Sequence, residues 1–192
     1  FDIYSDVGLT TKVADVTDDM EYNSLEGIEP LVTEGTRYQF ISSNFYGNAT
    51  YDAFYGVNGV GRAFYYDGTI FARIYTQADS DLDKPRHIAN HLEHLALGYR
   101  LGSVVLSVIG SPWNFQGVLG ASEIAVGDKV IGLQVLNGTM LAVFCEQSVW
   151  GISGSTVDNF TSQILVPNLG AIEYSIIDMG QPVFCTNWGI ST

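Results

Sequence analysis

Three histidines lie close together in the stretch HIANHLEH, and they are the first residues in this sequence that could do chemistry. His87, His91 and His94 are spaced by four and three residues, with Glu93 between the last two. On a helix this spacing would place the imidazoles on one face, where they could bind a metal such as zinc. The stretch lacks the H-E-x-x-H order of zinc proteases, and the strand-like LALGY that follows disfavours a helix. We therefore predict a structural or surface role for these side chains and no metal site.

An acidic loop precedes the histidines. Asp79, Asp81 and Asp83 alternate like the first half of a calcium-binding EF-hand loop. However, Lys84 stands where that loop requires glycine, and Asn90 stands where it requires the bidentate glutamate. The stretch TQADSDLDKPR is therefore predicted to be a solvated acidic loop without calcium.

Other catalytic patterns are missing from the sequence. The glycines of VNGVGRAF (Gly56 precedes it, Gly59 and Gly61 lie within it) do not follow the G-x-G-x-x-G order of dinucleotide sites. No G-x-S-x-G elbow occurs, and spacing selects no pair of carboxylates for glycoside hydrolysis. The stretch SVIGSPWNF is similar to the turn of a sialidase Asp-box, but Ile109 replaces the aspartate. We predict no catalytic residue, no cofactor and no enzymatic activity.

The charge of the chain is strongly acidic. Its 192 residues include 21 Asp+Glu and 8 Lys+Arg, which gives a net charge of −13, and 46% of them are hydrophobic. The apolar content is enough for one large domain or two small ones. An acidic surface does not hold phosphates, so DNA would pass such a protein without being retained. No apolar run approaches the roughly 20 residues of a membrane span. The start at Phe1 and the abrupt end predict a piece of a longer protein.

Two similar stretches contain the two cysteines of the chain. VFCEQSVWGIS occupies residues 143–153, and VFCTNWGIS occupies residues 183–191. Equivalent positions in different repeats of a fold lie too far apart for a disulfide. We therefore predict that Cys145 and Cys185 are reduced thiols.

A second alignment extends the repeat. Residues 57–72 align without a gap on residues 136–151, so that Asn58-Gly59 falls on Asn137-Gly138. Asn-Gly between apolar runs is a strong hairpin pattern, because both residues tolerate a positive φ. This predicts three-stranded antiparallel meanders over 51–75 and 130–153, and a third copy begins at 174. The spacings of 40 and about twice 40 residues fit the blades of a β-propeller. An antiparallel β-sandwich is the alternative that the same pattern leaves open.

The predicted fold is all-β, a β-propeller or propeller fragment built of meander repeats of roughly 40 residues. Residues 1–50 are predicted to be an irregular acidic lead-in or a partial blade, and residues 51–192 to be propeller blades. We expect an irregular segment before a strand at 93–99, and core or blade-packing positions for the tryptophans. The longest loops are predicted at 76–90, 110–129 and 153–170. The tryptophans are Trp113, Trp150 and Trp188.

A series of strand starts and turns in the second half of the chain is similar to one protein family. The stretch GSVVLS is followed by a Pro-x-x-Phe turn, then by the strand start GDKVIG, by a hairpin ending in WGISG, and by GAIEYSI. In numbers these are residues 102–107, 112–115, 127–132, 141–154 and 170–176. In this order they resemble the tail nozzle proteins of short-tailed bacteriophages, also called tail tubular protein B. The likeness covers residues 51–192, although nozzle subunits are usually several times longer.

The resemblance implies a structural protein of the phage tail in the virion. Such a subunit carries a propeller and assembles with copies of itself into a ring, often a hexamer, around the DNA exit channel. It implies contacts with tail adaptor and tail fibre proteins, and no catalysis. We expect those contacts to use loops, because packing of blade on blade would use up the sheet faces. One rival is a carbohydrate-binding or carbohydrate-active propeller with Trp113 as an exposed platform, and another is a general interaction propeller.

Overall fold

The computed structural model describes residues 2–4, 12–15, 37–69, 71–79 and 81–192. Within these residues the chain is all-β, with only two single-turn 3-10 helices, Ala49–Tyr51 and Gly117–Leu119. The predicted fold class is therefore confirmed.

The strands form one small antiparallel pair and four larger antiparallel sheets, which we call blades 1 to 4. The small pair is β1 (Asp2–Tyr4) and β2 (Lys12–Asp15). Blade 1 is β3 (Gln39–Ser43), β4 (Ala53–Val57), β5 (Phe64–Tyr66) and β6 (Phe71–Arg73). Blade 2 is β7 (His87–His91), β8 (His94–Tyr99), β9 (Ser103–Leu106) and β10 (Ser122–Ala125). Blade 3 is β11 (Val130–Leu136), β12 (Met140–Cys145), β13 (Val149–Ser153) and β14 (Thr161–Val166). Blade 4 is β15 (Ile177–Asp178), β16 (Pro182–Thr186) and β17 (Gly189–Ser191).

Each blade is a meander whose strands are paired in chain order. The first strand of blade 2, β7, packs against the first strands of blades 1 and 3, β3 and β11. The first strands therefore gather at a common axis and the last strands lie at the outside, as in a β-propeller. We call the face of a blade that is turned toward the preceding blade its leading face, and the opposite one its trailing face.

Apolar clusters fill the three spaces between successive blades. Alternation along each strand sends successive side chains to opposite faces, so one strand contributes to two clusters. In β12, Leu141 and Val143 pack toward blade 2, whereas Ala142 and Phe144 pack toward blade 4. The cluster between blades 1 and 2 includes Tyr55, Val57, Ile88, Leu95 and Leu97. These clusters hold neighbouring blades together and fix the position of the axis.

The two sequence repeats have different structural meanings. The stretches 143–153 and 183–191 both form the hairpin between the second and third strands of a blade, so this repeat is confirmed. The offset of 79 residues also joins three-stranded antiparallel meanders, as predicted. It is, however, shifted by one strand, because it aligns the second strand of blade 1, β4, with the first strand of blade 3, β11.

The two Asn-Gly pairs differ as well. At residues 137 and 138 the predicted tight turn is present, with φ of 50° and 70° and a hydrogen bond of 3.1 Å from Thr139 N to Leu136 O. At Asn58 the turn begins as predicted, but the connection runs through residue 63. The Asn58 side chain is buried, and its Oδ1 accepts hydrogen bonds from the amides of Val60 and Gly61 at 2.9 and 3.0 Å. Asparagine therefore organises a longer loop here.

Three strands lie where the sequence predicted irregular structure. The segment before residue 93 is β7, which forms a tight hairpin with β8 through Leu92 and Glu93, at φ of 47° and 65°. Neither residue is typical of such a turn, so the pattern gave no indication of it. The expected loops 110–129 and 153–170 contain β10 and β14. These are the last strands of their blades. In β14 all residues but the last are exposed, and β10 is only four residues long and contains no buried residue, so neither has the apolar alternation that identifies a strand in a sequence.

The boundary expected at residue 51 falls inside blade 1, because β3 begins at Gln39 and pairs with β4. Apart from β1 and β2, the residues before Arg37 lie outside the described residues, and so does most of the expected acidic lead-in.

Candidate functional site

A groove runs along the axis, where the first strands bring polar side chains together. Its volume is about 430 Å³. Gln39 comes from β3, His87 from β7, Gln134 from β11 and Asp178 from β15. Tyr174 lies at its wall, just before blade 4. All four blades thus contribute to this groove, which makes it the candidate functional site of the chain.

His87 is the buried titratable group of the groove. It is 2% exposed, and its Nε2 lies 3.5 Å from Glu173 Oε1. Burial lowers the pKa of His87 to about 4, although the nearby Glu173 carboxylate acts in the opposite direction. The ring is therefore neutral at physiological pH and adds no charge to the axis.

Gln134 brings a buried amide to the same groove. Its side-chain oxygen and nitrogen are shielded from solvent, and neither makes a hydrogen bond within the described part of the chain. A buried amide without partners is costly, so this side chain has hydrogen-bonding capacity available for a polar group in the groove. With the neutral His87, it gives the axis a polar lining that is not cationic.

Next to Tyr174, at the wall of the groove, two arginines bind the carboxylate of Glu173. Arg86 Nε bonds to Glu173 Oε1, and Arg100 Nη2 lies 3.0 Å from Glu173 Oε2. Burial disfavours ionisation of the Glu173 carboxyl, but the hydrogen bond from Arg86 and the charges of both arginines outweigh it and lower its pKa. Glu173 is therefore ionised, and its ion pairs attach the segment before blade 4 to blade 2.

Tyr174 adds to this attachment through its ring. The guanidinium carbons of Arg37 and Arg86 lie 4.6 and 5.5 Å from the centre of the Tyr174 ring. Such cation–π contacts add to the ion pairs of Glu173. Three of the five arginines of the chain thus meet at residues 173 and 174, just before blade 4. We call these five residues, 37, 86, 100, 173 and 174, the arginine cluster.

The three histidines singled out in the sequence are all buried, at 2%, 0% and 1% exposure for His87, His91 and His94. His94 packs between backbone carbonyls, with Nδ1 2.6 Å from Ser107 O and Nε2 3.0 Å from Ser155 O. The rings therefore pack inside blade 2, and burial also lowers the pKa of His91. Within the described ranges, no group of three His, Cys, Asp or Glu side chains could hold a metal ion.

The acidic loop differs from its prediction at one residue. Asp79 and Asp81 are exposed, as expected, but Asp83 is fully buried. Its carboxylate accepts hydrogen bonds from Arg62 Nη1 and Thr76 Oγ1, both at 2.7 Å, and from Tyr99 at 2.9 Å. This network ties the segment that connects blades 1 and 2 to both of them. Asp83 therefore has a structural role, which its position in a series of alternating aspartates did not predict.

Trp113 and Trp150 are packed as predicted. Trp113 packs against the rings of Tyr51 and Tyr65, with centroid distances of 4.9 and 4.6 Å. Trp150 is partly buried against the cluster between blades 2 and 3, and its Nε1 donates to Ser148 Oγ at 3.1 Å. Trp113 therefore does not present the free face that a sugar platform needs.

The prediction for Trp188 was wrong. Trp188 lies at the tip of the hairpin between β16 and β17 and is 88% exposed. In blade 4, Ile177 and Ile190 are 61% and 78% exposed, because no described blade packs on its trailing face.

Both cysteines are free thiols, as predicted. Cys145 is buried and Cys185 is partly buried. In the part of the chain that the structure describes, no helix has both the length and the apolar character to cross a membrane.

Comparison with known proteins identifies the fold alone. No family model matches the sequence, and no curated protein matches it. Among solved structures, Sqt1 of Saccharomyces cerevisiae, a WD40 β-propeller, matches with a TM-score of 0.55 and 12% identity. The match covers 80% of this chain and 44% of that chain, so this chain spans less than half of the Sqt1 structure. The described residues thus have the fold of part of a β-propeller.

Proposed function

We propose that this chain is part of a tail nozzle subunit of a short-tailed bacteriophage, a structural component of the virion without enzymatic activity. The observation that carries the proposal is the place of the nozzle-like motifs in the fold. Gly102, with φ of 89°, directly precedes β9. Gly127, with φ of 68°, lies three residues before the start of β11. The stretch 141–154 spans the hairpin of β12 and β13.

Gly170 is a motif residue at which the structure leaves no room for a side chain. A Cβ at this position would collide with the backbone carbonyl of Glu146, in the turn after β12. Only glycine lets the segment before blade 4 cross this turn, and Ala171 N then donates to Cys145 O at 3.1 Å. Two of the five motifs, 127–132 and 170–176, thus lie where successive blades join, and the other three lie within blades 2 and 3. We take this placement as support for the resemblance.

The proposed mechanism is geometric. A ring of such subunits would surround the channel, and rigid blades would hold the shape of that ring while DNA passes without being bound. Within the subunit, the groove residues Gln39, Gln134 and the neutral His87 offer no positive charge to phosphates, and the nearby arginines are engaged by Glu173 and Tyr174. The net charge of −13 acts in the same direction.

The proposed partners are other copies in a ring, often hexameric in this family, together with tail adaptor and tail fibre proteins. The loops that remain available for them are 74–86, 107–121 and 154–160. Exposed apolar side chains, such as Val118 at 92%, lie in the second of these.

The direct test locates the protein in a particle. Antibodies raised against the purified chain should label the distal tail of phage particles from its natural source, and peptides of the chain should be present in purified virions. A reconstruction of the tail should then place copies of this chain in a ring around the channel. Its absence from particles, or its presence in a cellular complex, would refute the proposal.

A second experiment tests the axis. Double-stranded DNA should not be retarded by the chain at low ionic strength, where phosphate binding is strongest. Gln134→Lys would add positive charge to the groove, while Val118→Lys would add the same charge at the outside as a matched control. Measurable retention by the unmodified chain would contradict a channel that does not hold DNA. Screening against a glycan array tests the carbohydrate-binding rival in parallel.

A further inference from the structure

A second groove lies at the outer side of the junction between blades 1 and 2, and its volume is about 590 Å³. The segment that connects these two blades forms one wall, and the outer strands of blade 2 form the floor. Val105 of β9 lies opposite Glu123 of β10. Ser103 lies opposite Ala125 in the same register, so all four side chains share one face. Val105 packs against the cluster between blades 1 and 2, which makes this the leading face of blade 2.

Small side chains keep this groove open. Its lining includes six glycine, serine and alanine residues, namely Gly102, Ser103, Gly117, Ala121, Ser122 and Ala125. At the corresponding junction between blades 2 and 3, two aromatic side chains, Trp150 and Phe160, pack against the buried cluster. Phe160 directly precedes β14, as Ala121 directly precedes β10. Blades lie on both sides of the groove, so its opening results from side-chain size.

The groove is mainly apolar. Leu82 of the connecting segment and Leu101 of the turn between β8 and β9 line it, and they are 51% and 76% exposed. Phe115 is buried beneath them at 6% exposure. The buried polar groups of the lining, Thr76 and Tyr99, are hydrogen-bonded to Asp83. Exposed apolar side chains around a concave site are typical of an interaction surface.

The charge of this groove is entirely acidic. Asp79 and Glu123 line it and are exposed, and none of its described lining residues is Lys or Arg. A cationic group is therefore the complement that the groove favours. Residues 16–36 of the chain carry six Asp or Glu and no Lys or Arg, so they do not supply this charge. A second copy, with its net charge of −13, is also disfavoured.

We propose that this groove binds an extended segment of a partner protein in which a large apolar side chain lies next to Lys or Arg. The apolar side chain packs against Leu82, Leu101 and Val105, and the cation lies near Asp79 and Glu123. The groove volume falls within the roughly 300–1,000 Å³ that is usual for ligand sites. The inference goes beyond the proposed role in a phage tail and does not depend on it, since a propeller with another role would have the same groove.

An array of short immobilised peptides tests the proposal with the 192-residue chain. The peptides combine Leu, Phe or Trp with a neighbouring Lys or Arg, and matched peptides carry Ser in place of the apolar residue or Glu in place of the cation. The chain should be retained by the first set and not by the matched sets. Fluorescence anisotropy of the best peptide then gives its dissociation constant.

Variants locate the binding in the groove. Ala125→Phe fills the groove from an exposed strand position and should abolish binding, whereas Ala125→Ser keeps the space and should bind like the unmodified chain. At about 0.15 M salt, which limits charge effects to neighbouring groups, Asp79→Lys and Glu123→Lys should each weaken binding about threefold or more. Asp158→Lys makes the same change in an exposed loop of blade 3 outside the groove and should have no effect.

Circular dichroism and thermal melting establish that each variant is folded. The proposal is overturned if no peptide of the first set is retained above its matched controls, or if Ala125→Phe binds as tightly as Ala125→Ser. An effect of Asp158→Lys equal to that of Asp79→Lys would show a general attraction of charge and would also overturn it. Peptides of residues 16–36 are included in the array, and retention on these alone would assign the groove to the chain itself and contradict a partner.

Discussion

The hairpins of blades 3 and 4 begin with the same three residues, Val-Phe-Cys, yet their surroundings differ. In β12 every residue from Leu141 to Cys145 is buried, because blade 2 covers one face and blade 4 the other. In β16 only Phe184 and Thr186 are buried, and both belong to the face turned toward blade 3. The shared sequence therefore specifies the hairpin and its register, while burial of the second face depends on a neighbouring blade.

The tryptophans of the two hairpins also differ in burial, and here the length of the connection is a further cause. Trp150 lies within β13, but Trp188 lies in the turn before β17. The second hairpin has two residues fewer between its cysteine and its tryptophan. The shorter connection places the indole at the tip, where only solvent surrounds it.

The thiols should give the largest difference between the two hairpins. Burial raises the pKa of Cys145 to about 12, with a further contribution from the charge of Asp128. Because the thiolate is the reactive form, Cys145 should react with a disulfide reagent at neutral pH at least about 100-fold more slowly than Cys185. Absorbance should report one thiol per folded chain and two after denaturation. Cys185→Ser should remove the fast phase, and comparable rates at both sites would contradict the burial of Cys145.

Removing the aromatic pair between the blades tests the energetic side of the comparison. Phe144→Ala should lower the free energy of unfolding by about 3–5 kcal/mol, because the ring is almost fully buried and leaves a cavity. Phe184→Ala should cost less, since blade 4 is packed on one face only and can relax into the space. Urea denaturation of both variants and of the double variant measures the loss and the coupling. Equal losses would show that blade 4 is as constrained as blade 3.

Acid should lower the stability of the folded chain through the buried His87. The folded-state pKa of His87 is about 4, below its ordinary value of 6.5, so between these values the unfolded chain binds the proton that the folded chain does not. Stability should therefore fall as the pH decreases through this window, by up to about 3 kcal/mol from this group.

Denaturation at neutral pH and at about pH 5 measures the effect of acid. His87→Gln should make the stability less dependent on pH in this range, although His91, whose pKa is also lowered, retains part of the dependence. A pH dependence that is the same in this variant and in the unmodified chain would exclude His87 as its source.

Truncating the two tryptophans should give the smallest effects. Trp150→Ala should cost about 1–3 kcal/mol, because it removes a partly buried ring and its hydrogen bond to Ser148. Trp188→Ala should change the stability of a monomer by less than about 0.5 kcal/mol, since its ring is 88% exposed. Thermal melts at low protein concentration distinguish the two, and a large loss at Trp188 would reveal a contact that covers it.

The sequence predicted those parts of the fold that depend on local backbone preferences alone. The tight turn at Asn137-Gly138 follows from backbone preferences, and the Val-Phe-Cys repeat follows from the structure of one hairpin. The turn at Leu92 and Glu93 could not be predicted, because neighbouring strands impose a positive φ on residues that do not favour it. The outer strands β10 and β14 were missed for a similar reason. Their pairing partner, and not their own composition, determines their structure.

The candidate site was harder to predict than the fold. Gln39, His87 and Gln134 lie far apart in the chain and meet only because the first strands of three blades share an axis. No spacing rule connects them. His87 was predicted to have a structural or surface role, and its actual setting, beside Glu173, depends on a segment more than eighty residues later.

The arginine cluster has a mechanical consequence. Glu173 and Tyr174 immediately precede blade 4, yet their contacts are with Arg86 and Arg100 of the blade 2 region and with Arg37 before blade 1. A force that pulls on the end of the chain therefore reaches blades 1 and 2 without passing through blade 3. The cluster therefore couples the segment before blade 4 directly to blades 1 and 2. Under a stretching force the four sheets should unfold as one unit and not one after another.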